Sequence, residues 1–255
     1  MLDKALFIRQ LQLLGVQPGM QLLVHSSLRK LGAVVGGADS IIDSLLEILG
    51  PEGTLMMSTV SGNVNREQPV FHVEHTPSTV GTLSNVFRKR PGALRSLHPV
   101  HSIAALGARA EFFCEGHLQA RTAWSEDSPY GKLMRQDGHI LFLGTNFSAN
   151  TCMHALEIEA KVPGLHTPES STLYVCDYDN RWHQIEHHWH APKKDSYVDM
   201  EQVVEKAGAL KYGVLGKSIS RLVQAGKMRE RLLPIFLHTP ELAIRKLSDS
   251  EFIWE

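Results

Sequence analysis

The sequence predicts an α/β protein, a single compact domain over residues 1–255 with a central mixed β-sheet flanked by helices. Three observations carry that expectation. MQLLVH (20–25), GTLMMS (53–58) and HILFL (139–143) are short apolar runs of strand length. Between the first two, apolar residues at 41, 42, 45, 46, 48 and 49 follow the spacing of one helix face. Strand, loop, helix and strand make a βαβ unit, which favours a parallel pair with a right-handed crossover. No repeat, low-complexity tract or linker interrupts the chain.

Apolar residues at 2, 6, 7, 11, 13 and 14 predict an opening helix stopped by Gly15 and Pro18. The first strand comes after a Pro-Gly turn, and Ser26 to Gly37 is a loop rich in Ser and Gly. Asp39 opens the next helix and Gly50-Pro51 ends it. Residues 59–77 show no periodicity and read as a long loop, a kind that is usually functional. A helix is expected over 79–90, with Val80, Leu83, Val86 and Phe87 on one face. Pro99 breaks the chain before a strand in HSIAAL (101–106), and Ser128-Pro129 sets a cap and a first helical residue. A strand at 139–143, a turn at 144–150 and a helix at 151–160 come next. Leu173–Cys176 and Trp182–Trp189 flank the turn 177–180 as a hairpin. Helices close the chain near 199–207 and 227–237.

Composition narrows the function. Lys+Arg is 26 against 27 for Asp+Glu, a net charge of -1, so no broad basic face for nucleic acid is expected. No run of about 18 apolar residues occurs, so no membrane span is expected. The charged start MLDKALFIRQLQLL reads as an amphipathic helix and not a signal peptide. Cys114, Cys152 and Cys176 are too few and too scattered for a disulfide framework, which points to the cytoplasm. The 14 histidines are the unusual feature, since many of them charging near their reference value of about 6.5 would make the chain markedly positive.

Four stretches can carry chemistry. In residues 24–39, two hydroxyls and a Gly-Gly pair lie between a strand and a helix N-terminus, with Arg29 and Lys30 near. That arrangement suits a phosphate, or is an ordinary polar turn; neither GxxxxGK[ST] nor GxGxxG is present. His98 and His101 flank Pro99, either as turn residues satisfying backbone groups or as the rim of a cleft. Within 143–157, Asn150 or Thr151 caps a helix that places His154 and Glu157 on one face. A carboxylate beside an imidazole fixes its tautomer and makes it a better base; the same spacing also occurs in plain surface pairs. Cys152 sits on another side of that helix, so a local Cys–His nucleophile pair is poorly placed. Finally, WHQIEHHWH (182–190) is rich in possible metal ligands. On a strand, however, His183 and His187 face one way and His188 and His190 the other.

Taken together, VHSSLRKLGAVVGGADSIIDSLLEILGPEGTLMMST (24–59), VGTLSNVFRKRPGALRSLHPVHSIAALG (80–107), SPYGKL (128–133) and ILFLGTNFSANTCMHALE (140–157) resemble the aminoglycoside N3-acetyltransferase family, the antibiotic N-acetyltransferase fold. A C-terminal stretch near GVLGKSISRLVQAGKMRERLLPIFL continues the match in order. The resemblance implies transfer of acetyl from acetyl-CoA to an amine, with no metal and no acyl-enzyme required. It implies CoA along Ser26, Ser27, Leu28, Val35 and Gly36, with Ser102 and Ile103 beside the pantetheine arm. It puts the general base on His154, supported by Glu157, and leaves His101 and Asn150 as lining residues without an assigned step. The expected partners are CoA and a small-molecule amine, for a monomer or homodimer. Members that modify aminoglycosides carry a longer, acidic, Trp-rich acceptor loop. Here residues 63–76 hold only Glu67 and Glu74 as acids, beside Arg66, which points to a different amine. The tail HHWHAPKKDSY (187–197) also departs, so its histidines belong to acceptor recognition or to nothing. Two rival readings remain: a metal-dependent hydrolase using the His183–His190 cluster, and a non-catalytic CoA-binding protein.

Overall fold

The computed structural model describes residues 2–191 and 197–243. Helix α1 (Lys4–Leu14) starts where the Asp3 side chain accepts the amide of Leu6, and stops at Gly15, whose φ of 109° is open to glycine. β1 (Gln21–Ser26), the short turn α2 (Leu28–Leu31), α3 (Gly37–Leu49) and β2 (Thr54–Ser58) form the expected βαβ unit. β1 pairs in parallel with β2, Val24 opposite Met57. It pairs in parallel with β6 (His139–Leu143) on its other side, Val24 opposite Leu141. A central parallel strand covered on both faces explains why MQLLVH is continuously apolar.

The main sheet has seven strands in the order β4-β5-β2-β1-β6-β10-β9. β4 (Leu94–Arg95) and β5 (Ile103–Gly107) add antiparallel on one side. β10 (Ser218–Gln224) and β9 (Leu210–Leu215) add antiparallel on the other. The sheet is therefore mixed, as expected. Alternate strand residues point to opposite faces. Leu23, Met56, Ile140 and Phe142 pack on α5 (Ala110–Cys114), α6 (Pro129–Arg135), α7 (Cys152–Glu159) and α9 (Ala225–His238). Leu22, Val24, Leu55 and Leu141 pack on α1, α3 and α4 (Thr82–Phe87).

A second sheet of three strands, β3-β7-β8, covers its own small core of Phe71, Leu173 and Val175. β3 (Val70–His72) lies inside the stretch expected to be a loop, and runs parallel to β7 (His166–Cys176). β7 pairs antiparallel with β8 (Trp182–His190), a longer hairpin than the sequence suggested. The last helices are α8 (Val198–Lys206) and α9.

Several boundaries differ for local reasons. α6 begins as expected, with the Ser128 hydroxyl accepting the amide of Gly131. The helix expected over 79–90 shrinks to Thr82–Phe87, because Gly81 takes a φ of 116°. β5 starts at Ile103 and not His101, because His98 Nδ1 accepts the amides of Val100 and His101 and holds 98–101 as a turn.

Arg95 ties the long 59–77 segment to the sheet. Its side chain is 3% exposed. It donates to the carbonyls of Val73, Thr76 and Thr59 and to the hydroxyls of Ser61 and Ser102. Burial lowers its pKa to about 9, with the charge of Arg88 adding to the effect. No carboxylate among the described residues pairs with it. Arg95→Met would leave the buried Val73 and Thr76 carbonyls unpaired, while Thr59 O keeps the Ser102 hydroxyl. The substitution is expected to cost about 3 kcal/mol or more of stability. Urea unfolding checks this, and a midpoint equal to the parent's would contradict it.

Candidate active site

Parallel sheets open their ligand clefts at the carboxyl ends of the strands. That edge is formed here by Ser26, Ser58 and Leu143, with the start of β5 beside Ser58. Every stretch picked from the 24–36, 98–103 and 150–157 regions of the sequence lies along this edge.

The Ser26–Gly36 turn sits where β1 hands over to α3. The Ser27 amide donates to Leu143 O at 2.8 Å. Leu28 opens α2, and Val35 is half exposed. Gly36 takes a φ of 77° just before α3, and a Cβ there would meet Ser40 Cβ at 2.9 Å. Ser102 and Ile103 are fully buried. The Ser102 hydroxyl is held by Thr59 and Arg95, and the Ile103 amide donates to Ser96 Oγ. These two residues build the floor of the edge and keep their polar groups for the protein.

α7 carries the chemistry. Asn150 is 2% exposed; its Oδ1 accepts the Cys152 amide and its Nδ2 meets Met228 Sδ. Its carboxamide thus organises the helix start. One turn on, His154 Nδ1 lies 2.8 Å from Glu157 Oε2. The His154 side chain is 27% exposed and that of Glu157 is 0% exposed. Burial alone would raise the Glu157 pKa. The approach of His154, His190 and Tyr197 outweighs it and holds the carboxyl at about 2. Glu157 is therefore a buried anion at neutral pH, Nδ1 of His154 is its donor, and Nε2 is left with a lone pair.

Three further residues complete this centre. The Tyr197 hydroxyl donates to Glu157 Oε1. Burial and the neighbouring carboxylate both push the Tyr197 pKa up, which keeps it a donor. His190 Nε2 faces Glu157 Oε2 at 3.4 Å. The Trp124 ring packs 4.8 Å from that of His154, 4.4 Å from His101 and 5.2 Å from His190. Burial, then the neighbouring imidazoles, keep His101 neutral. Trp124 Nε1, His101 Nδ1 and His190 Nε2 are buried and make no hydrogen bond. Orphaned polar atoms at one place are what a site awaiting a ligand shows.

The other expected site residues lie elsewhere. Glu67 borders a shallow depression with Asn65, Arg66 and Trp189. Glu74 is exposed, and its carbonyl accepts Arg88. Neither makes a hydrogen bond or ion pair with His154. The histidines of 183–190 do not converge, which removes the ligand set of the hydrolase reading. His183 bonds Asp177 at 2.7 Å, and His188 bonds the Thr167 carbonyl. His187 is buried and packs against His98. His190, the last residue of β8, faces Glu157 Oε2 at 3.4 Å. Residues 192–196 of the departing tail lie outside the described residues. Among the described residues, two groups have ligand atoms within 4.8 Å of one another: His154 with Glu157 and His190, and His72 with Glu74 and His75. In the first, imidazole and carboxylate are already bonded to each other.

Comparison with known proteins decides the family. The model of the family described as aminoglycoside 3-N-acetyltransferase matches residues 23–234. The chain belongs to that family. Aminoglycoside N(3)-acetyltransferase IV from Salmonella is 31% identical over 96% of this chain and 94% of its own. The crystal structure of the aminoglycoside acetyltransferase AAC(3)-IVa apoenzyme has a TM-score of 0.84 at 30% identity, over 98% of this chain and 93% of that one. A mutant of AAC(3)-IVa is solved in complex with a gentamicin, with a TM-score of 0.83 at 29% identity over 96% and 92%. AAC-IIIb, solved with CoASH, shares the fold at a TM-score of 0.80 and 24% identity over 96% and 98%. The protein is an N-acetyltransferase of that family. Among the described residues, no helix is long and apolar enough to cross a membrane.

Trp124 and Tyr197 escaped the sequence reading as site residues, and His190 entered it only within the 182–190 histidine cluster. No spacing signal links them to His154, since they come from loops and strand ends far along the chain.

Proposed function

We propose that His154 is the general base that lets a small-molecule amine take the acetyl group of acetyl-CoA, and that Glu157 holds it. The observation that carries this reading is the 2.8 Å bond from His154 Nδ1 to a fully buried carboxylate at the ligand edge of the sheet. A protonated amine has no lone pair to attack with. His154 Nε2 accepts a proton from the amine, directly or through one water, and Glu157 stabilises the imidazolium. The amine nitrogen bonds the thioester carbon, and the tetrahedral oxyanion needs preorganised donors. The C–S bond then breaks, the CoA thiolate leaves with the proton held by His154, and the nitrogen gives up its second proton to water as the neutral amide forms. The Ser26, Ser27, Leu28, Val35 and Gly36 turn is the proposed seat of the CoA phosphates and pantetheine, with Ser102 and Ile103 beneath. The mechanism calls on no metal.

A thiol-release assay with acetyl-CoA and a panel of amines tests the reading. Release matched by N-acetylated product is expected. CoA binding without release to any amine would leave the non-catalytic alternative standing.

The role of Glu157 has its own test. Glu157→Gln is expected to lower kcat/KM by about tenfold, because an amide does not stabilise the imidazolium formed in the proton transfer. A kcat/KM equal to the parent's would mean that the two groups are not coupled.

A further inference from the structure

Behind Trp124 lies a cavity of about 510 Å³. Its walls are the 121–124 segment, the end of α7 and residues 185–188 of β8. Trp124 also packs on His154, so cavity and base share one wall. If His154 is the base for acetyl transfer, as proposed above, the acceptor amine fills this space.

The charges around the cavity are unbalanced. Its charged residues are Arg121, Lys161 and Glu186. Both Glu186 oxygens are already taken, by Ser170 Oγ and Thr172 Oγ1 at 2.8 Å each. Neither the Arg121 nor the Lys161 side chain makes an ion pair or hydrogen bond with the described residues. Lys161 holds a left-handed φ of 55° where helices usually end on Gly or Asn. The histidines add no negative charge: burial keeps His98 and His187 neutral. Trp124, only 2% exposed, contributes an indole N–H with no acceptor. Among the described residues, the cavity therefore sets two cations without ion pairs against one carboxylate whose two oxygens already accept hydroxyl bonds.

We propose that the acceptor amine carries an anionic oxygen group, a carboxylate or a phosphate, which Arg121 and Lys161 receive while its amine faces His154. A polycation such as the gentamicin held by AAC(3)-IVa would meet two like charges here. An acidic amine would meet two charge-assisted donors, and the guanidinium of Arg121 can bind either anion with two bonds.

The test measures thiol release from acetyl-CoA with four acceptors: gentamicin, glucosamine, glucosaminic acid and glucosamine 6-phosphate. An acidic acceptor is expected to exceed glucosamine in kcat/KM by about tenfold or more. The last two acceptors distinguish carboxylate from phosphate. The double variant Arg121→Ala/Lys161→Ala, altered only at exposed side chains, is expected to erase that preference by raising KM for the acidic acceptor. The inference is overturned if gentamicin matches or exceeds both acidic amines, or if the double variant keeps the preference. Gentamicin turnover that depends on His154 would overturn this inference and leave the acetyl-transfer reading intact. No release with any amine would overturn both.

Discussion

Replacing His154 with alanine is expected to lower kcat/KM for acetyl transfer by about two to four orders of magnitude. The loss should fall on the chemical step. CoA binding should persist, because the turn proposed to hold it lies at the end of β1, not on α7. Removing the imbalance of charge is not the cause: without His154, Glu157 still has Tyr197 and His190 beside it. The group that disappears is the acceptor lone pair on Nε2. Isothermal titration with CoA and a thiol-release assay on the same preparation separate the two effects. Activity that survives nearly intact would mean that another group takes the proton.

Mild acid is expected to unfold the protein before its carboxylates titrate. His25, His117 and His187 are 8%, 1% and 8% exposed. Burial lowers their pKa values to about 4, about 3 and about 4, with a backbone bond to Ala123 opposing the effect at His117. These folded values lie below the ordinary 6.5, so as pH falls the unfolded chain takes protons first. Their contribution is complete above about pH 6.5 and is lost as pH drops toward the folded values. At about pH 5, each such histidine costs about 2 kcal/mol. Three of them then cost about 6 kcal/mol, within the whole stability of a domain of about 5–15 kcal/mol. The ionised Glu157 acts in a lower window: its contribution is present above its ordinary 4.5 and is lost as pH falls toward 2. Circular dichroism against pH should show a cooperative transition between about pH 6 and pH 4. A native spectrum and unchanged melting temperature at about pH 4.5 would contradict this burial account.

The parts legible in the sequence were those set by local signals. The βαβ unit announced itself through a buried parallel pair, the 139–143 strand through its unbroken apolar run, and α6 through Ser128-Pro129. The β9–β10 hairpin did not. Val214 and Ile219 are exposed apolar residues on its outer face, so apolar side chains on both faces blur the period of two. Within the site, His154 and Glu157 could be paired because they are one helical turn apart. Trp124, His190 and Tyr197 reach the same point only through tertiary folding. Alternation along β8 sorts its histidines by face and says nothing of which element His190 meets at the strand end. The buried state of Ser102 was equally invisible, since it depends on Arg95 folding over the sheet edge.

The central claim is that one imidazole, backed by a buried carboxylate, faces the reactive end of the coenzyme. A crystal structure of the protein bound to CoA tests it most directly. The account predicts the CoA sulfur beside Trp124, with His154 Nε2 directed at the gap where an amine would bridge the two. A sulfur atom seated away from α7, or an Nε2 turned from it and committed to a protein group, would contradict the account.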